Sequence, residues 1–187
     1  MSRAVLLPQI FRDMHSYSSS VVEPQSGAHP LKLGALAVLI AVTFVAAAIG
    51  SIASIQAPEF YLALNRPSWA PPPNVFGPVW SVLYLLMAIG AWIVVRVDGW
   101  PRAKPAMMLY GAQLALNALW TWFFFYWHSG VAATVDIVAL WLLVAATIVT
   151  FARTHKLAGA LLLPYLAWVS FATALTWAVW HANPATL

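Results

Sequence analysis

Cysteine is absent from the 187-residue chain, which rules out disulfides and Cys-ligated zinc or iron–sulfur centres. Charge is scarce, with nine Lys and Arg and five Asp and Glu making up 7% of the residues. A water-soluble domain carries roughly 25% charged residues, so this surface cannot be dressed for water. Metal-ligand spacing is missing as well. His15, His29, His128, His155 and His181 stand singly in loops or tails, and neither a metal site nor a His-ligated haem is expected. The first thirty residues lack the apolar core of a secretory leader. They are polar from Ser16 to Ser20 and interrupted by Pro24, Gly27 and Pro30, so residues 1–30 are expected to form a flexible extension. A mitochondrial presequence is rich in Arg and poor in acids, and Asp13 and Glu23 count against one. The small net charge of +4 reads as membrane topology and lipid contact, with no nucleic-acid partner.

What the chain does have is apolar length. Hydrophobic residues make up 63% of it, and a helix needs about 20 of them to cross a hydrocarbon core of about 30 Å. Five stretches qualify: 33–57, 76–97, 106–127, 131–151 and 157–180. Most are joined by short connectors, which force antiparallel neighbours, and backbone groups in lipid must be satisfied within the helix. The expected fold is therefore an all-α membrane protein, a five-transmembrane-helix bundle forming one domain over 31–183. Five crossings place Arg3, Arg12, Lys32, Arg96, Arg102, Lys104, Arg153 and Lys156 on one side and Arg66 on the other. By the positive-inside rule the N-terminus is cytoplasmic. A bacterial cell membrane is the expected location, or the mitochondrial outer membrane in a eukaryote.

The one long connector is unusual. Five of the thirteen prolines fall between Arg66 and Trp80, in Arg66-Pro67-Ser68-Trp69-Ala70-Pro71-Pro72-Pro73-Asn74-Val75-Phe76-Gly77-Pro78-Val79-Trp80. Each proline fixes φ and removes a backbone donor, and a proline triplet favours an extended polyproline segment. Such a connector is stiff, and we expect it to cap a pocket on the outer side of the bundle. Beneath it, Phe76, Trp80 and Tyr84 recur every four residues and share one helix face, as do Gln113 with Asn117 and Trp168 with Ala172. Together these rings and amides could wall a large apolar cavity with few polar groups, the usual form of a small-molecule site. A flat conjugated ligand such as a porphyrin would stack on the indole and phenol faces. Its carboxylates could reach Arg66 at the outer interface.

These residues also carry a resemblance. Tyr61, the run Arg66-Pro67-Ser68-Trp69 with Pro71-Pro72, then Val75-Phe76-Gly77-Pro78-Val79-Trp80 with Leu83-Tyr84, are followed by Ala112-Gln113-Leu114-Ala115-Leu116-Asn117 with Trp120, and by Leu163-Pro164-Tyr165-Leu166-Ala167-Trp168 with Ala172. In order and spacing the chain from about 33 to 183 resembles the TspO/MBR family, the tryptophan-rich sensory proteins related to the mitochondrial translocator protein (the peripheral-type benzodiazepine receptor). Arg66 stands where that family usually has Lys, and Phe60 where an aromatic pair often begins with Trp; both keep the chemical type. The resemblance implies binding of tetrapyrroles, notably protoporphyrin IX. It assigns Tyr61, Trp80 and Trp168 to contact with the porphyrin or to its light-dependent breakdown, and Gln113, Asn117 and Ala172 to the pocket lining. It also implies a homodimer. The cholesterol motif of the animal members is not met, because Leu175-Thr176-Trp177-Ala178-Val179-Trp180-His181 has no Tyr and ends in His. Cholesterol is therefore a doubtful partner.

Plainer roles compete at several positions. Trp92, Trp100, Trp127 and Trp180 sit near span ends, where Trp collects at bilayer interfaces. Gln113 and Asn117 could simply hydrogen-bond across helices. Asp136 is the one acid inside a span, a functional candidate on that ground, and is expected rather to make a packing hydrogen bond or to lie in a shallow hydrated position. Pro164 is expected to kink the fifth span. The small-residue pairs Ala46/Gly50 and Gly111/Ala115 allow close helix approach, within the bundle or across a dimer.

Three function classes follow. The first is a receptor or carrier for porphyrins and related lipophilic ligands, in tetrapyrrole homeostasis and in oxygen-, light- or stress-linked regulation. The second is a light- and oxygen-dependent porphyrin-degrading enzyme. No acid–base or nucleophile set accompanies the rings, so Trp80 and Trp168 would act there through the ligand's own photochemistry. The third is a scaffold regulating a partner protein. No resident cofactor is expected, porphyrin being a ligand.

Overall fold

The structure is a computed structural model that describes residues 31–187, with side chains from Leu33 onward. The expected extension, 1–30, lies outside the described residues. Within them every regular element is helical. Helix α1 covers Leu31–Ala53, α2 Ala57–Ala63, α3 Phe76–Thr121, α4 Gly130–Thr154, α5 Lys156–Ala160 and α6 Leu163–Ala182. A 3₁₀ turn, Pro73–Val75, leads into α3, and a widened π turn, Trp122–Tyr126, follows it.

Four stretches are long and apolar enough to cross a membrane, and the one from Pro73 to Tyr126 has 54 residues. Straight, it would run about 80 Å at about 1.5 Å per residue, far more than a bilayer core. It does not run straight. Gly99 adopts φ 73°, ψ 158°, a region open in practice only to glycine. Pro101 follows in the first turn of the new segment, where a missing N–H leaves nothing unpaired. The chain doubles back there, so Tyr84 Oη reaches Asn117 Oδ1 at 2.6 Å although 33 residues separate them. With α3 split into arms 76–98 and 100–121, the expected five crossings are present. The second arm begins some six residues before the expected start at 106, because the apolar count misses a helical turn rich in Arg, Lys and Pro.

α1 packs on α3, α3 on α4, and α4 on α6. Met87, Val94, Leu140, Val144 and Tyr165 meet in the buried centre. Val45, Val135, Leu142 and Leu163 project outward. That arrangement suits lipid, where an apolar surface is not penalised. Hydroxyls are satisfied locally or across helices, as when Thr43 Oγ1 bonds its own Leu39 carbonyl at 2.6 Å and the Tyr110 hydroxyl at 2.6 Å.

The fifth expected span is realised as α5 plus α6. The helix is interrupted at Leu161 and Leu162, and Pro164 falls in the first turn of α6, so this proline starts a helix at a break. Of the two small-residue pairs, Ala46/Gly50 serves the bundle: a Cβ at Gly50 would lie 2.9 Å from Thr121 Oγ1. Gly111 has nothing within 4 Å of such a Cβ, and it faces outward with Ala115.

Candidate functional site: an aromatic cavity under the proline-rich connector

The connector is held in place by named contacts. Tyr61, on α2, is buried, and its hydroxyl donates to the Pro71 carbonyl at 3.1 Å. The Arg66 guanidinium lies over the Tyr61 ring, 4.8 Å from its centroid. Burial pushes the Tyr61 phenol above its ordinary range, while Arg66 pulls it back, so the hydroxyl stays protonated and available to Pro71. Asn183, just past α6, clamps the connector from the other side. Its Oδ1 accepts from the Asn65 N–H at 2.9 Å, and its Nδ2 donates to the carbonyls of Asn65 at 2.9 Å and Val179 at 2.7 Å. This reciprocal pair satisfies backbone groups of a segment that has no helix of its own to do so.

Under the connector lies a cavity of about 550 Å³. Tyr61, Phe76, Trp80, Tyr84, Asn117, Trp168 and Ala172 all line it. The four-residue spacing therefore brings Phe76, Trp80 and Tyr84 to the cavity, and Trp168 with Ala172 beside them. Trp80 stacks on Tyr84, centroids 5.3 Å apart and planes at 29°, and meets Trp168 edge to face at 6.5 Å and 85°. Phe76 joins Tyr61 at 5.5 Å and Trp168 at 5.9 Å. The rings thus run without a gap from the connector to the Tyr84–Asn117 bond, which closes the inner end.

Asn117 is heavily engaged. Besides accepting from Tyr84, it donates through Nδ2 to Tyr165 Oη at 3.1 Å, tying both arms of α3 to α6. Gln113, one turn deeper, is not on the cavity wall; it is fully buried, with Nε2 3.6 Å from Met87 Sδ and Oε1 without a hydrogen-bond partner among the described residues. Trp69 is outside the wall too, half exposed, its edge on Phe171 at 5.7 Å. Arg66 is likewise not on the wall, since its head is committed to the Tyr61 face.

The profile of the TspO/MBR family matches residues 37–181. The chain belongs to the TspO/MBR family. It is 39% identical over 143 residues to the tryptophan-rich protein TspO of Chlorobaculum tepidum, covering 73% of this chain and 90% of that one. Protein CrtK of Rhodobacter capsulatus is 40% identical over 152 residues, 78% of this chain and 93% of the relative. The human translocator protein is 40% identical over 127 residues, 67% of this chain and 75% of the relative. Together with the apolar helices, this makes the chain an integral membrane protein of that family.

For a TspO/MBR protein read from sequence, some cavity residues went unforeseen. Phe44, Gly50 and Ser51 bring α1 into the wall, with Ser54 just past its end, and Trp120, Phe124, Phe125 and Phe171 add rings. The π turn is responsible for two of these. Trp127 N bonds the Trp122 carbonyl at 2.8 Å, and Ser129 N the Phe123 carbonyl at 2.9 Å, and the extra residue in the turn brings Phe124 and Phe125 to the cavity. The only sequence signal for α1 was its small-residue stripe around Ala46 and Gly50, which lets it lie close against the second arm. Trp180, expected at the interface, packs over Gly130, where a Cβ would overlap its ring; Trp100 and Trp127 are exposed. Asp136 is buried within the bundle, and its Oδ2 has no hydrogen-bond partner among the described residues.

Proposed function

We propose that this TspO/MBR protein is a membrane receptor or carrier for porphyrins, protoporphyrin IX above all, and for related flat lipophilic ligands. Its role would lie in tetrapyrrole homeostasis and in regulation linked to oxygen, light or stress. The supporting observation is the crossed pair Trp80 and Trp168 on the wall of a capped cavity of about 550 Å³. Offset and edge-to-face contacts contribute about 0.5–1.5 kcal/mol each beyond burial. Several of them, with burial of an apolar macrocycle, reach the roughly 8 kcal/mol that micromolar binding requires. The ligand would sit in the half of the membrane nearer the connector, and the positive-inside count makes that the outer half, with a cytoplasmic N-terminus.

Titration of the purified protein with protoporphyrin IX tests this reading. Saturable quenching of Trp fluorescence, with a shift of the porphyrin absorption bands, is expected at micromolar concentration. Unsaturable quenching equal to that of detergent alone would overturn it. The degrading-enzyme reading rests on the same indole pair. Illumination in air should then convert bound porphyrin to a distinct product held by the protein, whereas simple bleaching at the rate of free porphyrin leaves the receptor or carrier role.

A further inference from the structure

The end of the bundle away from the cavity gathers cations. Arg96 lies near the end of the first arm of α3, Arg102 and Lys104 near the start of the second, and Arg153 and Lys156 flank the turn between α4 and α5. Thr154 Oγ1 donates to Asp98 Oδ2 at 2.8 Å, which holds the two turns side by side. All five cations are exposed, and among the described residues none is in an ion pair. Asp98 is the one acid in these turns.

A shallow groove lined by Trp100, Pro101, Lys104, Met107 and Met108 opens at this end. Residues 100, 104, 107 and 108 share one face of the second arm. Along the axis Lys104 lies about 6 Å beyond Trp100, and Met108 about 12 Å beyond it. Trp100 is 49% exposed and Met108 67%. The stripe therefore runs from an indole at the helix start, through a flexible ammonium, to two adaptable thioethers at acyl-chain depth.

We propose that this groove binds one anionic phospholipid from the leaflet on its own side. Lys104 holds the phosphate, Trp100 lies beside the headgroup at the water-facing end of the groove, and Met107 and Met108 pack along one acyl chain. Charge complementarity selects the occupant. An apolar chain alone would fit any lipid, but an unpaired Lys104 beside four further exposed cations favours a headgroup with net negative charge over a zwitterionic one. The site is separate from the aromatic cavity and does not depend on the porphyrin reading.

The test uses the full chain in nanodiscs of mixed phosphatidylglycerol and phosphatidylcholine, followed by native mass spectrometry of the lipid retained. Wild-type protein is expected to retain one phosphatidylglycerol in preference to phosphatidylcholine. Lys104→Gln should lower that retention roughly fivefold, the effect of about one basic contact near the membrane surface. Arg153→Gln, the same charge change at the same end but outside the groove, should alter it less than about twofold. Equal retention of the two lipids by wild-type protein would overturn the proposal even if a variant failed to fold. So would an equal loss in both variants, which would mean diffuse attraction to the whole basic end.

Discussion

At the scale of single residues, Asn117 shows how a side chain can serve structure and site at once. Its amide spans Tyr84 at 2.6 Å and Tyr165 at 3.1 Å, closing the inner end of the cavity. Asn117→Leu leaves two phenols without their partner in a medium that offers no water. We expect it to lower stability in detergent by about 1 kcal/mol, within the range of interhelical hydrogen bonds in membranes, as measured by thermal unfolding. A Tyr165→Phe background should absorb part of that loss in a double-mutant cycle. The sequence offered Asn117 and Gln113 as an equivalent pair four residues apart. One helical turn separates them in depth, about 6 Å, and the Tyr84–Asn117 bond falls between them, so only Asn117 faces the cavity. Periodicity reports which face a residue shares; it does not report where along that face another ring stops the void.

At the scale of elements, backbone geometry decides more than propensity does. Gly99→Ala forces an alanine into φ 73° and should cost about 1–3 kcal/mol. Gly111→Ala meets open space and should be neutral or stabilising by up to about 1 kcal/mol; thermal unfolding of the two variants side by side checks both. The connector supplies a second contrast. Its stiffness was legible in Pro67, Pro71, Pro72 and Pro73, but its fastening was not, because Asn65 and Asn183 lie 118 residues apart and no local pattern marks them. Asn183→Ala removes three hydrogen bonds to the backbone while leaving every ring of the cavity wall in place. Dissociation of bound protoporphyrin, followed by stopped-flow fluorescence, is expected to accelerate roughly three- to tenfold, corresponding to the loss of about 1 kcal/mol of closure. An unchanged rate would mean that the connector does not limit escape. The π turn at Trp122–Tyr126 was equally hidden, since a run of five aromatic residues reads the same in an ordinary helix.

At the scale of the whole molecule, composition alone placed the chain in lipid, and the helical spans follow from apolar length. Boundaries were less legible where charge and proline enter a helix, as at 100–105, or where a helix pauses, as at Leu161 and Leu162. The resulting body has two unlike ends: a ring-lined cavity under a clamped connector, and a basic end with a shallow groove. Between them the bundle is packed, with Met87, Val94 and Val144 fully buried. The proposed guest would rest against indoles from two different helices. The most direct measurement is the protoporphyrin titration repeated on Trp80→Phe/Trp168→Phe beside Trp100→Phe, which removes an indole at the opposite end. The double variant is expected to bind roughly tenfold or more weakly, from about 1–2 kcal/mol of lost ring contact, while Trp100→Phe matches wild type. Equal affinity in all three proteins would contradict the placement of the ligand against Trp80 and Trp168.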